Sequence, residues 1–340
     1  MNKVSILLAS YNHEKFIEST ILSVLNQSYQ NWELIIVDDN SRDATKKIAE
    51  KFVKIDKRIK FHSFKQNKGA VIATQHCYEQ ASGSYIAIIN SDDTWDLQKL
   101  EKQVSFLDLH NNIGAVFSRV NIINEVGQKI KHPLENIFNN VLNKNRYEWL
   151  NHFFYKENNL CHPSLLIRKE CYENCGFYKP ELASLPDLDM WIRICFKYNI
   201  FIMDEKLTNY RILNNEKNES GNRKENIIRH SNEFTQLLNN YLNISTSEVF
   251  LKIFPTNKKF KNNKLINYYL AKKAIEDKRP YVNFFGINLL FQLMSRPEIA
   301  QIIMKESDFS YKDLHSLSRE INPTNAYSFC IERNEYINFF

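Results

Sequence analysis

Residues 85–95 read Tyr85-Ile86-Ala87-Ile88-Ile89-Asn90-Ser91-Asp92-Asp93-Thr94-Trp95, and the reading of this stretch decides the fold. An apolar, β-branched run, entered after Gly83-Ser84 and closed by polar residues, predicts a strand buried on both faces. At its end stand two adjacent carboxylates, Asp92 and Asp93. Ligands of open α/β sheets bind beyond the carboxyl ends of the strands, so acidic groups there suit a hard metal ion with phosphate oxygens. Taken alone, the pair suits a solvated acidic turn equally well, because Asp favours turns for local reasons.

The chain before this strand repeats one unit. Residues 4–9 form a compact apolar run followed by Ser10-Tyr11-Asn12-His13, and residues 14–27 carry Ile17, Ile21, Val24 and Leu25 on one helical face. A second strand at 32–37 ends in Asp38-Asp39-Asn40-Ser41, with Ser41 expected to cap a helix that starts near Ala44. Residues 60–64 read as a third strand, Asn67-Lys68-Gly69 as a turn, and 71–81 as the helix leading into the opening strand. This alternation predicts an α/β, Rossmann-like class: a mainly parallel sheet sandwiched by helices.

After the Asp pair the spacing predicts a helix over 97–110, a strand over 115–123, a short strand over 165–167, a helix over 187–197 and two short strands within 201–211. Residues 124–160 are polar and Asn-rich and read as a loop region. From about residue 214 a charged linker containing Gly221 begins, and strand alternation ceases. Helices are expected near 225–242, 246–253, 263–277, 280–295 and 297–305, which divides the chain into residues 1–215 and a helical C-terminal region, 216–340.

Composition narrows the function classes. The 340 residues carry 43% hydrophobic content, ample for a core, and a net charge of only +6, which does not imply nucleic acid. The six cysteines lack the paired rhythm of a zinc site and read as free thiols of a reducing cytoplasm. With no signal peptide and no apolar run of spanning length, the expectation is a cytoplasmic protein, soluble or peripheral. A basic face around Lys258, Lys259, Lys261, Lys264, Lys272 and Lys273 offers contact with a membrane surface or an acidic partner, or is simply solvated. No Gly-x-Gly-x-x-Gly follows the first strand, which argues against a dinucleotide-dependent oxidoreductase.

Four ordered motifs carry a family resemblance: Val-Ser-Ile-Leu-Leu-Ala-Ser-Tyr-Asn at 4–12, Val-Leu-Asn-Gln-Ser-Tyr at 24–29, Glu-Leu-Ile-Ile-Val-Asp-Asp-Asn-Ser at 33–41 and Asn-Ser-Asp-Asp at 90–93. Together they resemble family 2 glycosyltransferases. The resemblance covers roughly residues 3–215 and implies a GT-A-type domain that binds a UDP-sugar and transfers its sugar, with inversion, to a hydroxyl of a glycan or lipid-linked saccharide. Bacterial capsule or lipopolysaccharide synthesis is the usual setting for such relatives.

By the same resemblance, Tyr11 would contact the uracil above Ala9, Asp39 would accept its imide proton, and Asp38 would be a structural neighbour. Asp92 is expected on the ribose or metal side and Asp93 in direct contact with Mn²⁺ or Mg²⁺, which would neutralise charge on the departing nucleoside diphosphate. Relatives often carry an acidic residue where this chain has Asn90. The motif Leu185-Pro186-Asp187-Leu188-Asp189-Met190-Trp191 resembles the acidic segment that supplies the base, which implies Asp187, with Asp189 as runner-up. Weaker matches make Lys68 and Arg211 diphosphate partners and place His162 at the acceptor cavity; Leu213 stands where a Tyr-Arg-x-His motif has histidine. The alternative from another class is a non-catalytic module that binds sugar nucleotide or glycan, against which the joint presence of Asp39, Asp92, Asp93 and Asp187 argues.

Overall fold

A computed structural model describes residues 2–156, 158–213, 224–256 and 262–321. In chain order its elements are β1 (Val4–Ser10), α1 (Ile17–Leu25), β2 (Trp32–Asp38), α2 (Thr45–Ile55), β3 (Ile59–Ser63), α3 (Ala70–Glu79), β4 (Tyr85–Ile88), β5 (Thr94–Trp95), α4 (Lys99–Leu109), β6 (Ile113–Ile123), α5 (Pro133–Asn139) and α6 (Arg146–Tyr155). There follow β7 (Leu166–Arg168), α7 (Lys169–Cys175), α8 (Pro186–Cys195), β8 (Asn199–Arg211) and the helices α9 (Lys224–Leu237), α10 (Ser247–Ile253), α11 (Ile266–Ile275), α12 (Pro280–Met294), α13 (Pro297–Glu306) and α14 (Tyr311–Glu320). Two compact units emerge. One holds the sheet and its helices; the other gathers α9–α14 and, from the middle of the chain, α6 from Tyr147 onward. The boundary expected near residue 215 falls outside the described residues, as do Lys258, Lys259 and Lys261.

The eight strands run in the order β3-β2-β1-β4-β7-β6-β8-β5. β1 pairs in parallel with both β2 and β4, and β2 with β3. β7 is antiparallel to β4 and β6, and β5 to β8, so the sheet is mixed rather than mainly parallel. Val4, Ile6 and Leu8 of β1 share one core with Ile17, Ile21 and Val24 of α1, with Phe52 of α2 and with Leu100 and Val104 of α4. Alternation sends Leu7, Ile35 and Val37 to the opposite face, where α3 packs on β1 and β2 through the buried Ala73 and Cys77. The chain therefore steps outward from β1 to β3 under α1 and α2, then returns over the other face through α3 to β4. That reversal makes a switch point between β1 and β4, the place where open α/β sheets bind ligands.

Three expectations need correction. Ser41 does not cap α2: its Oγ accepts from Asn12 N–H at 2.9 Å, while Asp43 accepts from Thr45 N–H and Glu14 from Ala44 N–H. Residues 199–211 form one strand, not two; β8 follows β6 in parallel along its length, and register shifts around Arg119, opposite the exposed Asp204-Glu205-Lys206, break the apolar alternation. Residues 124–160 hold α5, which packs on β6, as well as α6.

In the helical unit, α12 packs against α9, α11, α13 and α14. Gly286 permits the closest approach, since a Cβ there would meet the carbonyl oxygen of Ala271 at 2.8 Å. Phe154 of α6 packs edge-on against Tyr241 and Phe254, and Tyr241 Oη donates to the Leu150 carbonyl at 2.7 Å. Among the described residues no helix is long and apolar enough to cross a membrane.

Candidate functional site

The switch point gathers the loops that follow β1, β2 and β4. After β1, Tyr11 is 40% exposed and Asn12 adopts a positive φ of 52°, which lets its Oδ1 accept from Arg42 N–H at 2.8 Å. Asn12 and Ser41 thereby latch two strand ends together. Asp39 is buried, its Oδ1 accepting from Lys68 N–H at 2.7 Å and its Oδ2 from Gly69 N–H at 2.8 Å. Gly69 has a φ of 91°, a backbone conformation in which a side chain would be strained. Asp38, fully buried, accepts from Ser41 N–H and Ser63 Oγ, as a purely structural carboxylate would.

The two carboxylates after β4 differ. Asp93 is 1% exposed, and both its oxygens are engaged: Oδ1 accepts from Arg211 N–H at 2.7 Å and Oδ2 from Asn90 Nδ2 at 2.9 Å. Asp92 retains 8% exposure beside His13, whose Nδ1 lies 2.6 Å from Ser91 Oγ. Burial raises the pKa of both groups; the charge of Asp92 pushes Asp93 further up, and that of His13 draws Asp92 partly back. Two crowded carboxylates with raised affinity for a positive charge suit a divalent cation. Among the described residues no group of three or more His, Cys, Asp or Glu could hold a metal alone. The donor set thus fits an Mg²⁺- or Mn²⁺-type ion that takes its remaining ligands from substrate phosphates and water.

The other wall comes from residues 158–191. Asp187 opens α8 behind Pro186; it is half-buried, its Oδ2 accepting from Asn158 Nδ2 at 2.7 Å and its Oδ1 from Leu188 N–H at 2.7 Å. Asp189 is fully buried, bonded to Lys179 Nζ at 2.8 Å and Arg193 Nε at 2.7 Å. Between the walls lies Cys161, its thiol held protonated first by burial and then by the charges of Asp93 and Asp187. One thiol is thus influenced by Asp93 of the strand-end pair and by the α8 carboxylate together. His162 Nε2 lies 2.8 Å from Tyr178 Oη, and burial lowers its pKa to about 4, so the ring is neutral at neutral pH.

Residues 5–170 match Glycosyl transferase family 2. Glycosyltransferase TuaG of Bacillus subtilis, named for teichuronic acid biosynthesis, is 32% identical over 62% of this chain and 80% of its own. The chain belongs to glycosyl transferase family 2. The Escherichia coli protein named UDP-Glc:α-D-GlcNAc-diphosphoundecaprenol β-1,3-glucosyltransferase WfgD is 40% identical over 41% of this chain and 54% of its own. Among solved structures, S. aureus TarS in complex with UDP-GlcNAc superposes with a TM-score of 0.59 at 17% identity, covering 99% of this chain and 90% of that one. The mannosyltransferase PcManGT of Pyrobaculum calidifontis, in complex with GDP-Man and Mn²⁺, gives a TM-score of 0.56 at 15% identity, over 99% and 87%. These likenesses establish the GT-A-type fold of this glycosyltransferase.

Three residue expectations meet contrary geometry. The guanidinium of Arg211 is not turned toward a diphosphate: it is 3% exposed, Nε donating to the Asp92 carbonyl at 2.5 Å and Nη1 to those of Asn124 and Glu125 at 2.9 Å. The Lys68 ammonium lies 4.6 Å from the Phe64 ring centroid, and the residue lines a cavity at the sheet edge whose lining does not include Asp92. Asp189, sealed between two cations, is unavailable as a base.

Two features of the site went unread in the sequence. His13 stands beside Asp92, a pairing no local spacing reveals. Trp95, Lys99 and Gln103 hold three consecutive carbonyls behind His162: Trp95 Nε1 donates to Pro163 O at 2.9 Å, Gln103 Nε2 to Ser164 O at 2.8 Å and Lys99 Nζ to Leu165 O at 3.2 Å. The spacing of four between Lys99 and Gln103 is the readable signal, since it aligns these two on one side of α4, whereas Trp95 stands in β5 before the helix.

Proposed function

We propose that this family 2 glycosyltransferase moves a sugar from a UDP-sugar to a hydroxyl of a glycan or lipid-linked saccharide, with inversion, in bacterial surface-polysaccharide synthesis. The observation that carries the reading is the half-buried Asp187 at the start of α8, held by Asn158, whose charge and that of Asp93 both act on the Cys161 thiol. A donor diphosphate at the switch point and an acceptor hydroxyl against α8 would put the sugar between them. The names of TuaG and WfgD and the UDP-GlcNAc complex of TarS support the substrate class.

In the proposed reaction Tyr11 and Asp39 receive the uracil at the ends of β1 and β2, with Ala9 beneath. Asp187 takes the proton of the acceptor hydroxyl; its oxygen bonds to the anomeric carbon as the bond from that carbon to the phosphate oxygen breaks, and the nucleoside diphosphate leaves. The family resemblance puts Asp93 in direct contact with Mn²⁺ or Mg²⁺ and Asp92 on the ribose or metal side; because both Asp93 oxygens are engaged by Arg211 and Asn90, we instead propose Asp92 as the direct ligand, with Asp93 in support. A bound divalent cation supplies charge neutralisation to the leaving diphosphate. His162 and Tyr178 line the acceptor side.

A cytoplasmic location with peripheral membrane contact is part of the same reading. Of the described lysines behind it, Lys273 pairs with Glu276 at 3.2 Å and Lys272 lies over the Phe309 ring, which leaves Lys264 as the exposed member.

The test is a panel of UDP- and GDP-sugars screened by thermal shift with and without Mn²⁺, followed by assay of nucleoside diphosphate release. A UDP-sugar that stabilises the fold and is turned over in a metal-dependent way is the expected result. Tight binding with no release under any acceptor or metal condition would favour a binding module instead.

A further inference from the structure

A cavity of about 760 Å³ lies at the open edge of the sheet, between β3 and α3. Apart from Lys68, none of the residues assigned above to donor or acceptor chemistry lines it. Three rings form one wall: His62 and Phe64 are 5.5 Å apart between centroids, Phe64 and His76 5.4 Å, and His62 and His76 4.5 Å. Lys68 and Lys65 add two ammonium groups, and neither has a carboxylate partner among the described residues. The lining's one carboxylate, Glu79, is drawn toward His76 at 3.5 Å. Ser63, Gln66 and Gln75 contribute neutral hydrogen-bonding groups.

Each part of this lining asks for something the protein does not supply. Unpaired cations gathered in a concavity favour an anion. A wall of rings offers an apolar face, and amide and hydroxyl groups beside it match a ligand that carries many hydroxyls. Partial burial, and then the neighbouring His76 and Lys68, hold the His62 pKa below its ordinary value. A bare phosphate would leave the rings unused, and a neutral sugar would leave the lysines unused.

We propose that this cavity binds an acidic saccharide, a sugar ring bearing a phosphate or a carboxylate, at a site separate from the donor site. Its ring would lie along His62, Phe64 and His76, and its acidic group would meet Lys65 and Lys68.

Glucose 6-phosphate and glucuronate are the probes, with glucose and orthophosphate as controls, read by calorimetry and by ¹H–¹⁵N spectra of the histidine rings in the full chain saturated with UDP and Mn²⁺. At least one acid should shift the His62 and His76 signals and bind at least tenfold more tightly than either control; which acid does so identifies the anionic group. The paired substitutions Lys65→Gln and His76→Gln, both on the surface, should weaken that binding at least tenfold, with an unchanged melting temperature certifying the fold. Equal binding of orthophosphate or glucose, no shift with either acid, or unaltered affinity in the variant overturns the proposal. Displacement of the acid by UDP also overturns it, because the cavity would then belong to the donor site. Absence of any UDP binding would count against the proposed function and leave the saccharide titration readable by itself.

Discussion

Arg211 holds Asp93 with its backbone N–H while its side chain grips the Asp92 carbonyl, so the end of β8 is fastened to the strand-end carboxylates from both sides. The Asp pair would otherwise be a free loop tip. This clasp, with the Thr20 hydroxyl, whose single proton is shared between the carbonyls of Asp93 at 2.7 Å and Ser91 at 3.0 Å, ties the tip to α1 as well as to β8. Such preorganisation is what a site for cation and diphosphate requires.

Arg211→Met should therefore act on the fold before it acts on the donor. Removing a buried guanidinium leaves the carbonyls of Asp92, Asn124 and Glu125 without it and two carboxylates without its charge, a cost of about 3 kcal/mol. Urea denaturation would register that loss. A variant of full stability that had lost only UDP affinity would return Arg211 to the diphosphate.

Asp187 and Asp189 should separate in the same two measurements. Asp187→Asn keeps an oxygen for Asn158 and should fold normally, with transfer reduced by about 10²–10⁴-fold. Asp189→Asn removes a fully buried carboxylate from the largely buried Arg193 and the partly exposed Lys179 and should cost about 3 kcal/mol of stability. Loss of transfer in a stable Asp189→Asn, with full transfer in Asp187→Asn, would mean that the wrong carboxylate has been assigned.

How far these roles could be read beforehand follows from where each residue's partners lie. The placement of Asp39, Asp92 and Asp93 after buried strands was legible because the apolar runs before them are unambiguous. The isolation of Asp189 was half legible: Arg193 stands four residues on along the same helix, but Lys179 comes from a loop. The burial of Arg211 was not, because carbonyl acceptors from distant loops leave no mark on side-chain types. β8 read as two strands because a bulged pairing disturbs the period of two on which strand recognition rests. α5 went unseen because it is a short helix with no fully buried residue.

His162 supplies a pH dependence. Its folded pKa of about 4 lies below the ordinary value of 6.5, so between these values the unfolded chain binds more protons than the folded one. Stability from this group is complete above about pH 6.5 and is lost as pH falls through 4, a total of about 3 kcal/mol. His162→Gln, which can still bond to Tyr178, should remove that component: the stability difference between variant and wild type should shift in the variant's favour by this amount between pH 7 and 4. A difference constant with pH would mean that the ring titrates normally.

Lys99 makes the opposite experiment at alkaline pH. Its ammonium is fully buried, 4.1 Å from the Trp95 ring centroid and bonded to Gln103 Oε1 at 2.7 Å, and burial holds its pKa well below the usual lysine value. The folded chain thus resists the proton that the unfolded chain keeps up to about pH 10, and wild-type stability should rise with pH until that value. Lys99→Met has no such proton, so its stability relative to wild type should decline as pH rises toward 10, as measured by urea denaturation at each pH. The same variant frees the Leu165 carbonyl and loosens the segment behind His162. Sugar transfer should fall by about tenfold, in keeping with loosened positioning, while UDP binding, which depends on the far wall, stays within twofold. A pH-independent stability difference would show that Lys99 titrates alike in the folded and unfolded chain, and a matching loss of UDP affinity would place its influence on the donor side rather than beneath the acceptor.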